Sequence, residues 1–232
     1  MSKVFVTGDT HGEMSISRLS AKNWPLGKTL TKEDYVIVLG DFGFLWNNVS
    51  NKSERYWIEW LTEKPWITLF LDGNHENHYR LQQLLVIPFN GGLAGKVSDS
   101  VFHLRRGEIY TLGKSVFFAM GGALSIDKST RTEYISWWKG EIPSYKEFAN
   151  GLDNLELYQY NIDYILTHTC PITIANVLTG GDTSYSANDP TTKYFEQLAN
   201  LVTFKHWYFG HWHEDRDISK YSALYHRILE IL

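Results

Sequence analysis

Short apolar segments recur along the chain and alternate with amphipathic ones. Six of them are almost continuous in large hydrophobic residues, a pattern that is typical of strands buried on both faces. They are residues 4–6, 35–39, 66–71, 115–120, 164–166 and 207–209. This pattern predicts a central sheet that is covered on each side.

Helix-forming segments lie between the first of these strands. Three segments have the length of a connecting helix, namely residues 15–22, 53–64 and 77–85. The order strand, helix, strand in this part of the chain predicts βαβ units, and therefore parallel pairing of the strands.

A later helix carries a sequence signal at its start. Ser144 and Glu147 have the spacing of a capping box, in which each side chain bonds the backbone N–H of the other residue. Four apolar residues then follow at helical spacing: Tyr145, Phe148, Leu152 and Leu155.

Strands come closer together in the middle of the chain. Segments 101–104, 109–112 and 115–120 are separated by turns that contain Gly107 and Gly113, which predicts an antiparallel meander. Residues 221–232 predict two further short strands. The chain has no internal repeat and no linker, so we expect one mixed α/β domain over residues 1–232.

Composition narrows the class of protein. The 232 residues carry a net charge of −4, which argues against a strongly basic nucleic-acid binder. The single cysteine, Cys170, excludes a disulfide-held module, and we expect a small buried residue rather than a reactive thiol. No apolar stretch reaches the roughly 18 residues of a membrane span, and the N-terminus leaves no room for a signal peptide. A cytoplasmic location is therefore expected.

Polar side chains follow five of the predicted strands, at the point where each strand ends. The segments that carry them are residues 8–12, 40–43, 72–76, 167–169 and 210–213. Ligands bind at the carboxyl ends of strands in open α/β sheets, so these segments are expected to meet in one site. Taken singly, Asp9, Asp41 or Asn74 is explained as a turn or cap residue, and His168 as a packed histidine. Their joint occurrence favours a functional site.

The residue types in these segments suit a pair of metal ions. The candidate ligands are two aspartates, one asparagine and four histidines: Asp9, Asp41, Asn74, His11, His168, His211 and His213. Such a mixed oxygen and nitrogen set fits Mn, Fe, Zn or Co better than Mg or Ca. Two divalent cations exceed the charge of the two aspartates and a hydroxide, which leaves a positive site for a phosphoryl oxygen.

The ordered blocks resemble the signature of the calcineurin-like metallophosphoesterases. The blocks are Asp9-x-His11, Gly40-Asp41, Gly73-Asn74-His75-Glu76, His168 and Gly210-His211-x-His213. The resemblance implies a four-layer sandwich of two mixed β-sheets flanked by helices, with a dinuclear metal site at the strand ends.

The resemblance also implies a role for each residue. Asp9, His11 and His213 would hold the first metal, and Asn74, His168 and His211 the second. Asp41 would bridge both metals. His75 would protonate the leaving alkoxide or donate to a phosphoryl oxygen.

The sequence differs from two subgroups of this family at two positions. Protein Ser/Thr phosphatases and diadenosine-tetraphosphatase relatives have Asp-Arg-Gly shortly after the bridging aspartate, and usually an arginine before Gly-Asn-His-Glu. Here Phe42, Gly43 and Phe44 follow Asp41, and Asp72 precedes Gly73. These missing arginines argue against protein phosphatase activity, and the closer likeness is to small bacterial and phage metallophosphoesterases.

A Gly-rich segment at residues 121–131 offers replacement cations. Arg131 or Lys128 could grip the phosphate, with Asn74 and His75 as further substrate contacts, and a cap or specificity segment is expected around residues 121–142. The alternative is an exposed loop with surface salt bridges. Trp137 and Trp138 could stack a nucleobase, but ordinary packing is the better interpretation.

These observations predict a phosphoric ester hydrolase with two divalent metal ions, with manganese expected in vitro. A metal-bridging hydroxide would attack the phosphorus of a phosphomonoester or phosphodiester. One alternative is a nucleotide or oligonucleotide phosphodiesterase, and another is a non-catalytic interaction scaffold on the same fold. The expected partner is a small phosphate ester or nucleotide, without membrane binding or tight nonspecific nucleic-acid binding.

Overall fold

Two mixed β-sheets form the centre of the protein. The computed structural model describes residues 2–232, and at Tyr185 it describes only the backbone. Met1, the first residue of the predicted domain, lies outside the described residues. The strands are β1 (Val4–Thr7), β2 (Tyr35–Val38), β3 (Ile67–Phe70), β4 (Leu85–Phe89), β5 (Gly92–Lys96), β6 (Val101–Leu104), β7 (Glu108–Leu112), β8 (Ser115–Met120), β9 (Tyr164–Thr167), β10 (His206–Phe209), β11 (Arg216–Ile218), β12 (Tyr221–Ala223) and β13 (Ile228–Glu230).

Each sheet has a parallel centre and antiparallel edges. The first sheet runs in the order β13-β1-β2-β3-β6-β5-β4, and the second in the order β11-β12-β10-β9-β8-β7. Strands β1, β2, β3 and β6 are parallel, as are β8, β9, β10 and β12. The parallel pairing predicted for the first strands is confirmed.

Five α-helices accompany the sheets in residues 2–232. They are α1 (Lys52–Thr62), α2 (His78–Gln82), α3 (Tyr145–Leu157), α4 (Ile172–Leu178) and α5 (Pro190–Leu201). The capping box of Ser144 and Glu147 is present at the start of α3, as predicted. None of the helices in this part of the chain is long and apolar enough to cross a membrane.

Side-chain alternation along the strands produces four layers. Val6 in β1 packs with Phe117 of β8 in a buried cluster between the sheets. Phe5, which points to the opposite face, packs with α1 and its neighbours. Phe118 packs with α4 and α5 on the outer face of the second sheet, where Cys170 is also buried as predicted. The fold class of two mixed sheets flanked by helices is therefore confirmed.

Two of the predicted helices differ from the structure. Residues 15–22 form a short 3-10 helix, Ile16–Leu19, because Ser15 and Ser20 favour caps and turns over helix interior positions. The predicted helix 77–85 ends at Gln82, and Leu85–Phe89 instead forms a hairpin with β5. Asn90 and Gly91, both at positive φ, connect the hairpin, and this Asn-Gly pair was the signal that the sequence offered.

The predicted meander is correct only in its second half. Strands β7 and β8 pair antiparallel in the second sheet, but β6 pairs with β3 and β5 in the first sheet. The chain therefore crosses between the sheets after Leu104. Along α3, Tyr145 is 86% exposed although it shares the helical spacing of Phe148, Leu152 and Leu155.

Candidate metal centre

The carboxyl ends of β1, β2 and β3 meet those of β9 and β10 at one rim of the two sheets. Backbone and side-chain hydrogen bonds join the sheets at this point. The backbone N–H of His211 donates to Oδ1 of Asp9 at 3.0 Å, and Nδ1 of His168 donates to the carbonyl of Leu39 at 2.8 Å. All seven predicted ligand side chains lie in this region.

The first group of donors contains Asp9, His11 and His213. Their ligand atoms lie within 4.8 Å of one another. Nε2 of His213 is 3.2 Å from Oδ2 of Asp9 and 3.0 Å from Nε2 of His11. One carboxylate and two imidazoles can thus face a single cation.

The second group contains Asn74, His168 and His211. Oδ1 of Asn74 is 3.1 Å from Nε2 of His168 and 3.1 Å from Nδ1 of His211. Nδ1 of His168 donates to the carbonyl of Leu39, so in the neutral imidazole the lone pair of Nε2 faces the amide oxygen of Asn74. A histidine that binds a metal usually donates its other ring N–H to a carbonyl or carboxylate in this way, so the donor set fits a metal ion.

Asp41 lies between the two groups. Its Oδ2 is 3.8 Å from Nε2 of His11, and its Oδ1 is 3.4 Å from Nε2 of His168. The side chain is buried, and Oδ1 also accepts the backbone N–H of His75 at 2.8 Å. Each oxygen of this carboxylate therefore faces a different group.

The protonation states of the donors suit metal binding. Burial opposes ionisation of Asp9, but the hydrogen bond with His213, the electrostatic effect of His168 and the backbone N–H of His211 lower its pKa to about 2. Burial, with a contribution from His168, lowers the pKa of His211 to about 3. Asp9 is therefore a carboxylate and His211 a neutral imidazole at neutral pH, which are the forms that bind metal.

Backbone strain is concentrated at the site. His11, Asp41, His211 and His213 all have positive φ, between 46° and 71°. Non-glycine residues rarely adopt this conformation, and the surrounding structure must compensate for its cost. Only the tertiary contacts hold these four donors in place.

Glycine at position 73 permits the close approach of the donors. A Cβ on Gly73 would lie 2.0 Å from Oδ1 of Asp41 and 2.7 Å from Nε2 of His168. These atoms cannot move without displacing both groups of donors. This explains why a glycine stands beside Asn74.

Comparison with known families agrees with this geometry. A family model described as calcineurin-like phosphoesterase matches residues 2–215. The chain belongs to the calcineurin-like phosphoesterases. The match confirms the resemblance, and the family performs metal-dependent phosphoester hydrolysis. No curated protein sequence matches the chain significantly.

Beside the donors of this phosphoesterase, His75 and Arg131 lie in contact. Terminal nitrogens of Arg131 are 3.0 Å from Nδ1 and 2.8 Å from Nε2 of His75. Arg131 also donates to Asp127 at 2.7 Å. Burial is the main cause that lowers the pKa of His75, and the charge of Arg131 lowers it further, whereas Asp41 opposes the shift.

Lys128 lies elsewhere in the segment. Its ammonium is 4.1 Å from the centre of the Trp137 ring. Trp137 and Trp138 are buried, in agreement with the predicted packing role. The structure thus brings Arg131, but not Lys128, to the cavity that Asn74 and His75 line.

Asp72, which stands where the relatives have an arginine, is part of a buried ion pair. It accepts from Nε and Nη2 of Arg106 at 2.9 and 2.6 Å, and from His103 at 3.0 Å. The guanidinium of Arg106 holds the pKa of Asp72 well below its usual range despite burial. Sequence reasoning missed Arg106, which follows the strand β6 without any local motif.

Glu76 is a second buried carboxylate beside the donors. It accepts the backbone N–H groups of Gly43 at 2.8 Å and of Gly73 at 2.6 Å. The side chain of Glu76 therefore links the turn that follows β2 to the turn that follows β3 through hydrogen bonds. The sequence motif contained Glu76, but its partners could be found only in the structure.

Proposed function

We propose that this phosphoesterase hydrolyses a small phosphomonoester or phosphodiester at a centre of two divalent metal ions. When bound, the two cations would supply a bridging hydroxide and stabilise charge on the phosphoryl and leaving-group oxygens. The observation that carries the proposal is the convergence of ligand atoms within 4.8 Å of one another in two overlapping clusters: Asp9, His11 and His213, and Asp9, Asp41 and His168.

The proposed ligand sets follow the two groups of donors. Asp9, His11 and His213 would hold one cation, and Asn74, His168 and His211 the other. Asp41 would contact both, which is supported by the different directions of its two oxygens. Mn, Fe, Zn or Co suits this set of donors, and manganese is the ion we would supply first.

Arg131 and His75 would bind the phosphoryl group. A guanidinium can donate to two oxygens at once, and the side chain of Arg131 is already held by a hydrogen bond from its Nη2 to Asp127. The lowered pKa of His75 favours a neutral imidazole, which donates a hydrogen bond to a phosphoryl oxygen rather than protonating the leaving group.

The cavity supports a small organic ester as the substrate. It measures about 400 Å³ and is bordered by Ile126, Thr179 and Trp212 beyond the donors. This volume lies within the range of small-molecule sites. A nucleotide would fit the same description, whereas the net charge of −4 disfavours tight binding of long nucleic acids. We propose that the protein acts in the cytoplasm, where its single cysteine would remain reduced.

A substrate panel tests the function. Protein loaded with Mn²⁺ would be assayed with p-nitrophenyl phosphate, bis-p-nitrophenyl phosphate and a set of natural nucleotides. Turnover of the monoester p-nitrophenyl phosphate indicates a phosphatase, and turnover of the diester bis-p-nitrophenyl phosphate indicates a phosphodiesterase. Preferential turnover of a nucleotide would indicate the more specific alternative, a nucleotide phosphodiesterase. Failure on every substrate, with two metals bound, would overturn the enzymatic proposal and favour an interaction scaffold.

A further inference from the structure

The segment of residues 121–142, called the cap segment below, reaches the metal centre through Ser125. Nδ2 of Asn74 donates to Oγ of Ser125 at 3.0 Å, and both residues are only 4% exposed. This contact lies on the side of Asn74 that points away from His168 and His211. Ser125 therefore touches a proposed metal ligand without facing the cavity.

Glu141, at the far end of the cap segment, determines the direction of that hydrogen bond. Oγ of Ser125 donates to Oε2 of Glu141 at 2.5 Å, and the backbone N–H of Ser125 donates to Oε1 at 3.3 Å. Burial raises the pKa of Glu141, and the hydrogen bonds from Ser125 oppose that shift by stabilising the carboxylate. The carboxylate only accepts, so it uses the hydroxyl proton of Ser125. Oγ can then only accept from Asn74, so the amide group of Asn74 must turn its NH₂ toward Ser125.

The opposite end of the same amide is the proposed ligand atom. Oδ1 of Asn74 faces His168 and His211 at 3.1 Å each. The two ends of an asparagine amide have nearly the same size, so packing alone does not distinguish them. An amide rotated by half a turn would present N–H groups, which cannot bind a cation.

Glu141 is itself held in place. It is 1% exposed, and its backbone carbonyl accepts from Arg106 at 3.2 Å. Arg106 also binds Asp72, which lies two residues before Asn74. The cap segment and the turn that carries Asn74 are thereby fixed to the same guanidinium, which keeps Glu141 and Ser125 in register with the ligand.

We infer that Ser125 and Glu141 are positioning residues that orient the amide of Asn74 toward the second metal. The inference rests on the proposed dinuclear centre. It gives the cap segment a role in assembling that centre, separate from the contact of Arg131 with His75. Groups that orient metal ligands in this way typically contribute about 10- to 100-fold to metal affinity.

Calorimetric titration of the metal-free protein with Mn²⁺ tests this role. Wild-type protein should bind two cations, and absence of two binding events would contradict the dinuclear centre itself. Ser125→Ala should weaken one event by about 10- to 100-fold and leave the other, assigned to Asp9, His11 and His213, unchanged. Unchanged affinity at both events, or equal loss at both, would overturn the inference.

Two further variants separate positioning from packing. Ser136→Ala removes a hydroxyl from the same segment whose hydrogen-bond partner is the backbone N–H of Thr132, so both binding events should persist. In an Asn74→Asp background the two ends of the side chain are equivalent, and adding Ser125→Ala should then change the affinity by less than about twofold. A full loss in that background would show that Ser125 acts only through packing.

Discussion

The guanidinium of Arg131 lies against the imidazole of His75, with nitrogen–nitrogen distances of 3.0 and 2.8 Å. Arg131 belongs to the cap segment, and His75 follows the proposed ligand Asn74. The sequence lacks the arginines that related phosphatases place near the bridging aspartate. Arg131 brings a cation to the cavity from a different part of the chain.

Removal of that cation should weaken catalysis without loss of metal. Arg131→Ala should lower kcat/KM by about 10- to 100-fold, which corresponds to the roughly 1.5–3 kcal/mol of a hydrogen bond to a charged group. Lys128→Ala is the matched control, because Lys128 lies over Trp137 and should change kcat/KM little. Normal turnover of Arg131→Ala, with both metals bound, would show that Arg131 does not bind the phosphoryl group and that the cap segment only covers the site.

His75 should contribute to the rate on all esters alike. His75 acts as a neutral donor to the phosphoryl oxygen in this proposal. His75→Ala should therefore lower the turnover of alkyl and p-nitrophenyl phosphates by similar factors, about 10- to 100-fold. A much larger loss of turnover on alkyl phosphates would instead indicate that His75 is the general acid that protonates the leaving group. Metal content measured in the same variant should be unchanged, since a lost metal would make His75 a ligand.

Asp41→Asn should remove most metal and nearly all activity. The amide has one oxygen and no charge, so it cannot face both groups of donors as the carboxylate does. Metal content by mass spectrometry and turnover would be measured together. Asp127→Asn, a substitution of the same type at the mouth of the cavity, should keep two metals. Near-normal turnover of Asp41→Asn with two metals would refute the shared role.

Gly73→Ala should disrupt the centre through sterics alone. The new Cβ would lie 2.0 Å from Oδ1 of Asp41, so Asp41 must move out of place. Gly113→Ala is the control, because Gly113 has a left-handed φ of 62° but no atom nearer than 3.6 Å to its Cβ position. Both variants should lose about 1 kcal/mol or more of stability, but only Gly73→Ala should lose metal. Metal bound normally by Gly73→Ala would contradict this account.

The metal-free protein should lose stability as the pH falls below about 6.5. Burial is the main cause that lowers the pKa values of His78 and His211 to about 3. A histidine in the unfolded chain titrates at about pH 6.5. Between these values the unfolded chain binds protons that the folded chain does not, so protonation favours unfolding. His213, whose pKa is raised by its hydrogen bond with Asp9, has the opposite sign and loses its stabilising effect only as the pH rises.

Urea unfolding with a chelator, between about pH 7 and 5, checks this prediction. The wild-type free energy of unfolding should fall toward low pH, and His78→Gln should reduce the slope by about 1 kcal/mol per pH unit. His78 is the suitable site because it lies outside the proposed ligand sets. An identical slope in the variant would show that His78 does not titrate as described.

The sequence patterns by themselves determined the mixed α/β class, the parallel pairing of the first strands and the identity of the seven candidate donors, whereas the arrangement in two sheets came from the family resemblance. Local patterns suffice for these features, because buried strands are apolar and the polar residues that follow them are easily seen. The hairpin of β4 and β5 is equally local, because Asn90 and Gly91 at its turn are the residue types that favour positive φ.

Only the tertiary structure decided which residues meet. Strand β6 joins the first sheet because it pairs with β3, a contact that no nearby residue encodes. Arg131 reaches His75, and Ser125 and Glu141 reach Asn74, across separations that carry no periodic or motif signal. Hydrogen bonds and ion pairs depend on distances of about 3 Å between side chains, and such distances between remote residues are set when the sheets and the cap segment pack together.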